Sequence, residues 1–210
     1  FRINPDTSKQ CYLLNCIDAN YQDGTAKIVV TGGTYEGFDP ADNSAEGEGT
    51  NFVKDGYASQ ADGAGHYTVA KIGSSADLPI EISTAKQALA MAEKAGYYKL
   101  VDDVVVDNEI NLSSKTWVID LNGHSVRLEY AEGVKPNNGG VFKIGGSGSS
   151  MTINDSSEEQ TGAVYGADKD DNNKVFCAVR LTNSGKLTIN GGHFYARGQN
   201  SCIFVFTGII

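Results

Sequence analysis

Apolar and polar residues alternate along most of the chain in short runs, the two-residue period of strands that bury one face. Such runs cover 98–106, 109–112, 116–121, 125–128, 141–144, 151–153, 175–181, 187–189 and 202–206. The N-terminal part adds 11–17 and 26–30, followed by a turn-rich loop at 39–51. Two further alternating segments, 52–59 and 66–72, flank Asp62-Gly63-Ala64-Gly65 and predict a β-hairpin. One stretch departs from the strand period. Thr84-Ala85-Lys86-Gln87 has the form of a capping box, and Ala85, Ala88, Leu89 and Ala92 recur at helical spacing before Gly96. That predicts one short helix over 84–95, with a small-residued stripe suited to lying flat on a strand layer.

The strands rhyme. Lys27-Ile28-Val29-Val30-Thr31-Gly32-Gly33-Thr34-Tyr35 matches the pattern of Lys186-Leu187-Thr188-Ile189-Asn190-Gly191-Gly192-His193-Phe194, and Ser150-Met151-Thr152-Ile153-Asn154-Asp155 is a partial third copy. Aligning apolar-polar-apolar-Asn motifs sets Asn122, Asn154 and Asn190 in one row, a structural ladder of stacked amides. A second alignment stacks Phe142, Val179 and Phe204, and likewise Ile144, Leu181 and Phe206. Like strands lie far apart in sequence, with further turns between them. They therefore predict coils of a solenoid paired in parallel rather than antiparallel hairpins. Gly73-Ser74-Ser75 marks a boundary, giving 1–72, a linker at 73–76, and 77–210.

Composition narrows function more than fold. The 210 residues carry a net charge of −9, which argues against a nucleic-acid partner or an anionic membrane surface. No run approaches the roughly 20 apolar residues of a membrane span, so membrane insertion is not expected. Phe1-Arg2-Ile3-Asn4-Pro5 opens without an initiator Met, as expected of a piece of a longer polypeptide. Cys11, Cys16, Cys177 and Cys202 form no CxxC pair and read as buried thiols, although a Cys177–Cys202 bond would make a disulfide-stapled secreted module.

Catalytic motifs are sparse. Asp168, Asp170 and Asp171 form an acidic loop that is a candidate Ca²⁺ site, although it lacks the Gly and distal Glu of a calcium loop; no other cofactor is expected. His66, His124 and His193 lack metal spacing, and no GxSxG turn exists. No pair of carboxylates is singled out, so no catalytic residue is assigned. Exposed aromatics near turns, Tyr35, Tyr130 and Tyr195, are the candidate ligand-binding residues, suited to stacking on sugars.

Leu121-Asn122-Gly123-His124, Leu187-Thr188-Ile189-Asn190-Gly191-Gly192 and Val30-Thr31-Gly32-Gly33-Thr34-Tyr35 resemble the right-handed parallel β-helix family, the pectate-lyase-like solenoids. The resemblance is to the solenoids of bacteriophage fibre proteins and gut bacterial surface proteins. It implies an all-β, right-handed parallel β-helix with one short capping α-helix and a β-hairpin. It places the closing coils of one solenoid in 1–72 and the opening coils of another in 77–210. Tandem copies or self-association in a fibre follow from that order. The implied role is a non-catalytic structural or adhesive segment of a fibre or decoration protein, attaching to a receptor or surface glycan. The resemblance places it on a virion surface or a bacterial cell surface, the latter as an adhesin module. The enzymatic alternative on the same scaffold is a polysaccharide lyase or glycoside hydrolase.

Overall fold

The computed structural model describes residues 12–134, 138–167, 175–196, 201–206 and 208–209. It is mostly strands with two short helices, and it divides into Phe1–Leu78 and Pro79–Ile210.

In the first unit, helix α1 (Asp18–Gln22) precedes strands β1 (Gly33–Glu36), β2 (Tyr57–Ala61) and β3 (His66–Lys71). The expected hairpin is β2–β3, and β1 joins the far side of β3, so the sheet runs β1-β3-β2 with every pair antiparallel. Its tip is tied by the Asp62 carboxylate, which accepts from Ala64 N at 2.7 Å and His66 N at 3.0 Å. Those bonds hold the Asp62 carboxyl down to about 2. Val30, Tyr35, Phe38, Phe52 and Val69 form the core, with Phe38 stacked on Phe52.

Over the described residues 12–72 the expected parallel coils are replaced by this antiparallel sheet, with parallel pairing limited to the isolated bridges Val30↔Val53 and Ala45↔Gly47. The strand expected at 26–30 does not form: Ala26 N donates to Asn20 O at 2.8 Å and Val30 N to Phe52 O at 2.8 Å. The described part of the strand expected at 11–17, residues 12–17, is not a strand either. The short helix α1 was not expected from its residues.

The second unit begins with β4 (Ile80–Ile82) and helix α2 (Ala85–Ala90). A first group of strands follows: β5 (Gly96–Leu100), β6 (Val104–Val106) and β7 (Ile110–Ser113). A second group is β8 (Thr116–Asp120), β9 (Ser125–Leu128) and β10 (Asn138–Gly145). A third is β11 (Ser150–Asn154), β12 (Ala163–Tyr165) and β13 (Val175–Thr182). The last strands are β14 (Gly185–Ile189), β15 (His193–Tyr195), β16 (Ile203–Val205) and β17 (Gly208–Ile209).

They form three sheets, ordered β17-β14-β11-β8-β5-β4, β15-β12-β9-β6 and β16-β13-β10-β7, and all of their pairs are parallel. From β5 onward the chain visits the three sheets in fixed rotation, and each circuit lays its strands beside those of the circuit before. Bonds between facing residues of successive circuits span 34 residues at Thr116–Ser150 and 36 at Asn154–Asn190.

Alternation along each strand sends one set of side chains into a common core. Trp117, Met151 and Leu187 occupy one row of facing positions, and Ile119, Ile153 and Ile189 another. Most of these side chains are fully buried, each worth about 1.5–3 kcal/mol.

Helix α2 starts where its capping box predicts. Thr84 Oγ1 accepts from Gln87 N at 3.3 Å, and Gln87 Oε1 reaches back to Ser83 N at 3.0 Å. It ends sooner than its stripe suggests. Residues 91–93 tighten into i→i−3 turns, while Trp117 Nε1 donates to Met91 O at 2.9 Å and Lys94 O at 3.2 Å. Gly96 opens β5 instead of capping the helix.

Two expected registers shift. Val179 faces Ile203 and Leu181 faces Val205, so Phe204 and Phe206 leave the core rows assigned to them. The Cys202 carbonyl accepts from both Ala178 N and Val179 N, fixing that one-residue offset, and a one-residue slip exchanges faces. In the Asn row, Asn190 Nδ2 donates to Asn154 Oδ1 at 2.8 Å, but the residue facing Asn154 on β8 is Asp120. Asn122 lies two residues further on, at φ 50°, and donates to Leu100 O at 3.1 Å. The alignment by Asn missed this because β8 pairs through Trp117 opposite Met151.

Candidate functional site

The sheet β6-β9-β12-β15 turns Val104, Val106, Val126, Leu128, Val164 and Phe194 inward. The two-residue period then places Val105, Arg127, Tyr165 and Tyr195 on its outer face, and register puts them in one row, each facing the next. The rings and the guanidinium stack along that row. Arg127 Cζ lies 4.6 Å from the Tyr165 ring centroid, a cation–π contact. Tyr165 and Tyr195 stack at 4.7 Å with 7° between their planes. Both faces of Tyr165 are thereby covered, while Tyr195 is 45% exposed. His193, on the same strand, lies 6.4 Å from Tyr195, ring centre to ring centre.

Beside this row runs a groove of about 280 Å³ lined by Arg127, Glu129, Tyr130, Tyr165 and Tyr195, among others. Arg127 Nε sits 3.8 Å from Glu129 Oε1, so a donor and an acceptor stand together at the groove wall. Glu129 also borders a wider groove whose lining includes Leu89 of α2, Val105 and Asp107. Aromatic edges, a guanidinium and a carboxylate on one strip suit a ligand that offers C–H faces and hydroxyls together.

Of the three expected tyrosines, the structure brings two to this groove. Tyr195 stands on its rim. Tyr130 is half-buried, its ring edge-on to Phe176 at 6.2 Å and its hydroxyl packed over Gly139, where a Cβ would clash. Burial, reinforced by the Glu109 charge and opposed by Arg180, pushes the Tyr130 phenol up to about 12. Tyr35 is corrected: it is only 3% exposed in the core of the other unit, its hydroxyl donating to Gly32 O at 3.0 Å. Arg127, Glu129 and Tyr165 were not anticipated. Gly162-Ala163-Val164-Tyr165 and Gly192-His193-Phe194-Tyr195 share a Gly-x-apolar-Tyr pattern that carries the signal.

Asp168, Asp170 and Asp171 lie outside the described residues. Among the described residues no group of three or more His, Cys, Asp or Glu side chains is placed to hold a metal ion. Cys177 and Cys202 both carry free thiols. Cys177 is buried as expected, whereas Cys202, also expected as a buried thiol, is exposed just before β16. Asp155 is a buried carboxylate with a structural setting: it accepts from Gly123 N at 2.9 Å, Gly162 N at 2.6 Å and Ser157 Oγ at 2.7 Å. Burial works against its charged form, but these bonds outweigh it and hold the carboxyl below the usual range.

No helix among the described residues is long and apolar enough to cross a membrane. Compared with protein families, curated proteins and solved structures, the chain matches none of them.

Proposed function

We propose that residues 79–210 are the opening coils of a right-handed parallel β-helix. In this reading the chain is a non-catalytic structural and adhesive segment of a surface-exposed fibre or decoration protein of a bacteriophage virion. The row Arg127, Tyr165 and Tyr195 on its outer face attaches to a surface glycan. The rotation through three parallel sheets supports the β-helix, and the virion setting rests on the resemblance of the Asn-Gly turns alone. The observation that carries attachment is the stacked Arg127–Tyr165–Tyr195 row beside a groove. Aromatic rings take sugar C–H faces, and an adjacent Arg–Glu pair serves neighbouring hydroxyls. A glycan array probed with the full chain tests this reading. One class of oligosaccharide binds, Tyr195→Ala abolishes the signal, and the bound glycan is recovered at unchanged length. Undiminished binding by the variant would remove the site from this face, and shortened product would make the protein an enzyme.

A further inference from the structure

On the third sheet the outer face carries a different chemistry. Asn111 of β7, Lys143 of β10, Arg180 of β13 and Phe204 of β16 form one row of facing positions. Two cations directly opposite on neighbouring strands repel, an arrangement that costs stability. Glu109 balances one of them, since both its oxygens lie 2.9 Å from Arg180 Nη2 and Oε1 also accepts from Gly140 N at 2.9 Å. No ion pair joins Lys143 to an acid among the described residues. It is half-buried in a chain whose net charge is −9.

Two residues along the same strands, Ser113, Gly145 and Thr182 face one another. Gly145 sets no side chain between the two hydroxyl-bearing residues, and a Cβ there would run into Thr182 Oγ1. The result is a groove of about 370 Å³ whose lining includes Asn111, Ser113, Lys143, Thr182 and Asn183. It gathers an ammonium, hydroxyls and amides, and no carboxylate is part of the lining.

We infer that this groove is a second binding site, separate from the aromatic row, that takes the carboxylate or sulfate group of an acidic saccharide. Lys143 supplies the charge-assisted bond, and the hydroxyls of Ser113 and Thr182 supply further donors. The site stands whether or not the aromatic row binds glycan, because it lies on another sheet and shares no residue with it.

The test follows backbone amide shifts of the isotope-labelled full chain during titration with a glucuronate-containing disaccharide, a sulfated disaccharide, a neutral disaccharide and inorganic sulfate. Saturable shifts at Gly145, Gly146 and Thr182 with an acidic disaccharide, absent with the neutral one, are the expected result. Lys143→Gln then weakens binding about tenfold while leaving the remaining spectrum in place. Thr182→Val, which removes a hydroxyl and keeps the shape, weakens it less. Absence of saturable shifts with either acidic sugar, or equal affinity in Lys143→Gln, overturns the site. Inorganic sulfate binding as tightly as the sugars overturns the saccharide assignment. A Tyr195→Ala chain that still gives the expected shifts separates this site from the aromatic row.

Discussion

Arg180 Nη2 donates to both carboxylate oxygens of Glu109 at 2.9 Å, although 71 residues separate the two in the chain. Strand β10 runs between β7 and β13, and its Gly140 N donates to Glu109 Oε1 at 2.9 Å. The pair is 13% and 17% exposed, so its charges are largely taken out of water. Removing one partner leaves the other poorly solvated. Glu109→Gln is expected to lower unfolding free energy by about 1.5–3 kcal/mol in a urea titration. The double change Glu109→Leu with Arg180→Met is expected to cost less than the sum of the single changes. Strict additivity would mean that the contact contributes nothing.

Trp117 is the only tryptophan, and it joins two levels of organisation. Its ring is fully buried, while its Nε1 holds the chain that leaves α2 through Met91 O and Lys94 O. Trp117→Phe keeps most of the packing and strands two carbonyls, at an expected cost of about 1–3 kcal/mol. Trp117→Ala adds a cavity and is expected to cost about 3–5 kcal/mol. Emission of the native protein should lie to the blue and shift red in a single step as this unit unfolds. A red-shifted native spectrum would contradict the burial.

How much of this was legible beforehand depended on which signal the residues carried. Alternation gave most strands of the second unit, and the capping box at Thr84 and Gln87 gave the start of α2, because both are local. Strands β4, β12 and β15, three residues each, fall outside the alternating runs, and the runs at 12–17 and 26–30 form no strand. The end of α2 was not local: Trp117, more than twenty residues on, takes the carbonyls that would have continued it. Register failed where one backbone atom decided it, as at Cys202 O. The rhyme of 27–35 with 186–194 proved to encode a turn. Gly33 and Gly192 both take positive φ, 106° and 89°, which suits glycine, yet β1 pairs antiparallel and β15 parallel. The candidate site was half legible. Tyr195 stood out as an aromatic near a turn, but Arg127 and Tyr165 join it only through register between strands distant in sequence.

Cysteine chemistry separates two neighbouring strands. Burial, reinforced by Glu109 and opposed by Arg180, pushes the Cys177 thiol up to about 12, and it is fully buried. Cys202 is exposed. Under native conditions near pH 8, a thiol reagent is expected to label Cys202 readily and Cys177 only after denaturant is added, since the thiolate is the reactive form. Peptide mapping reads both positions. Equal labelling rates would place Cys177 at the surface.

Asp155 gives the pH dependence a defined sign. Its side chain joins turns of successive circuits through Gly123 and Gly162, and it is 7% exposed. Because its folded carboxyl lies below the usual value of about 3.9, the unfolded chain binds the proton first as pH falls. Its contribution is therefore complete above about pH 5 and is lost as pH drops through 4 towards the lowered folded value. Asp155→Asn keeps one acceptor oxygen and removes the charge, so the variant is expected to be less stable at pH 7 by about 1–3 kcal/mol. As the pH falls through the lowered folded value, the gap between the two should narrow, since the native carboxyl then takes up its proton as well. Urea midpoints of both proteins at pH 7, 5, 4 and 3 read this directly. A gap that stays constant across that range would mean that the hydrogen-bond geometry, and not the carboxylate charge, holds these turns together.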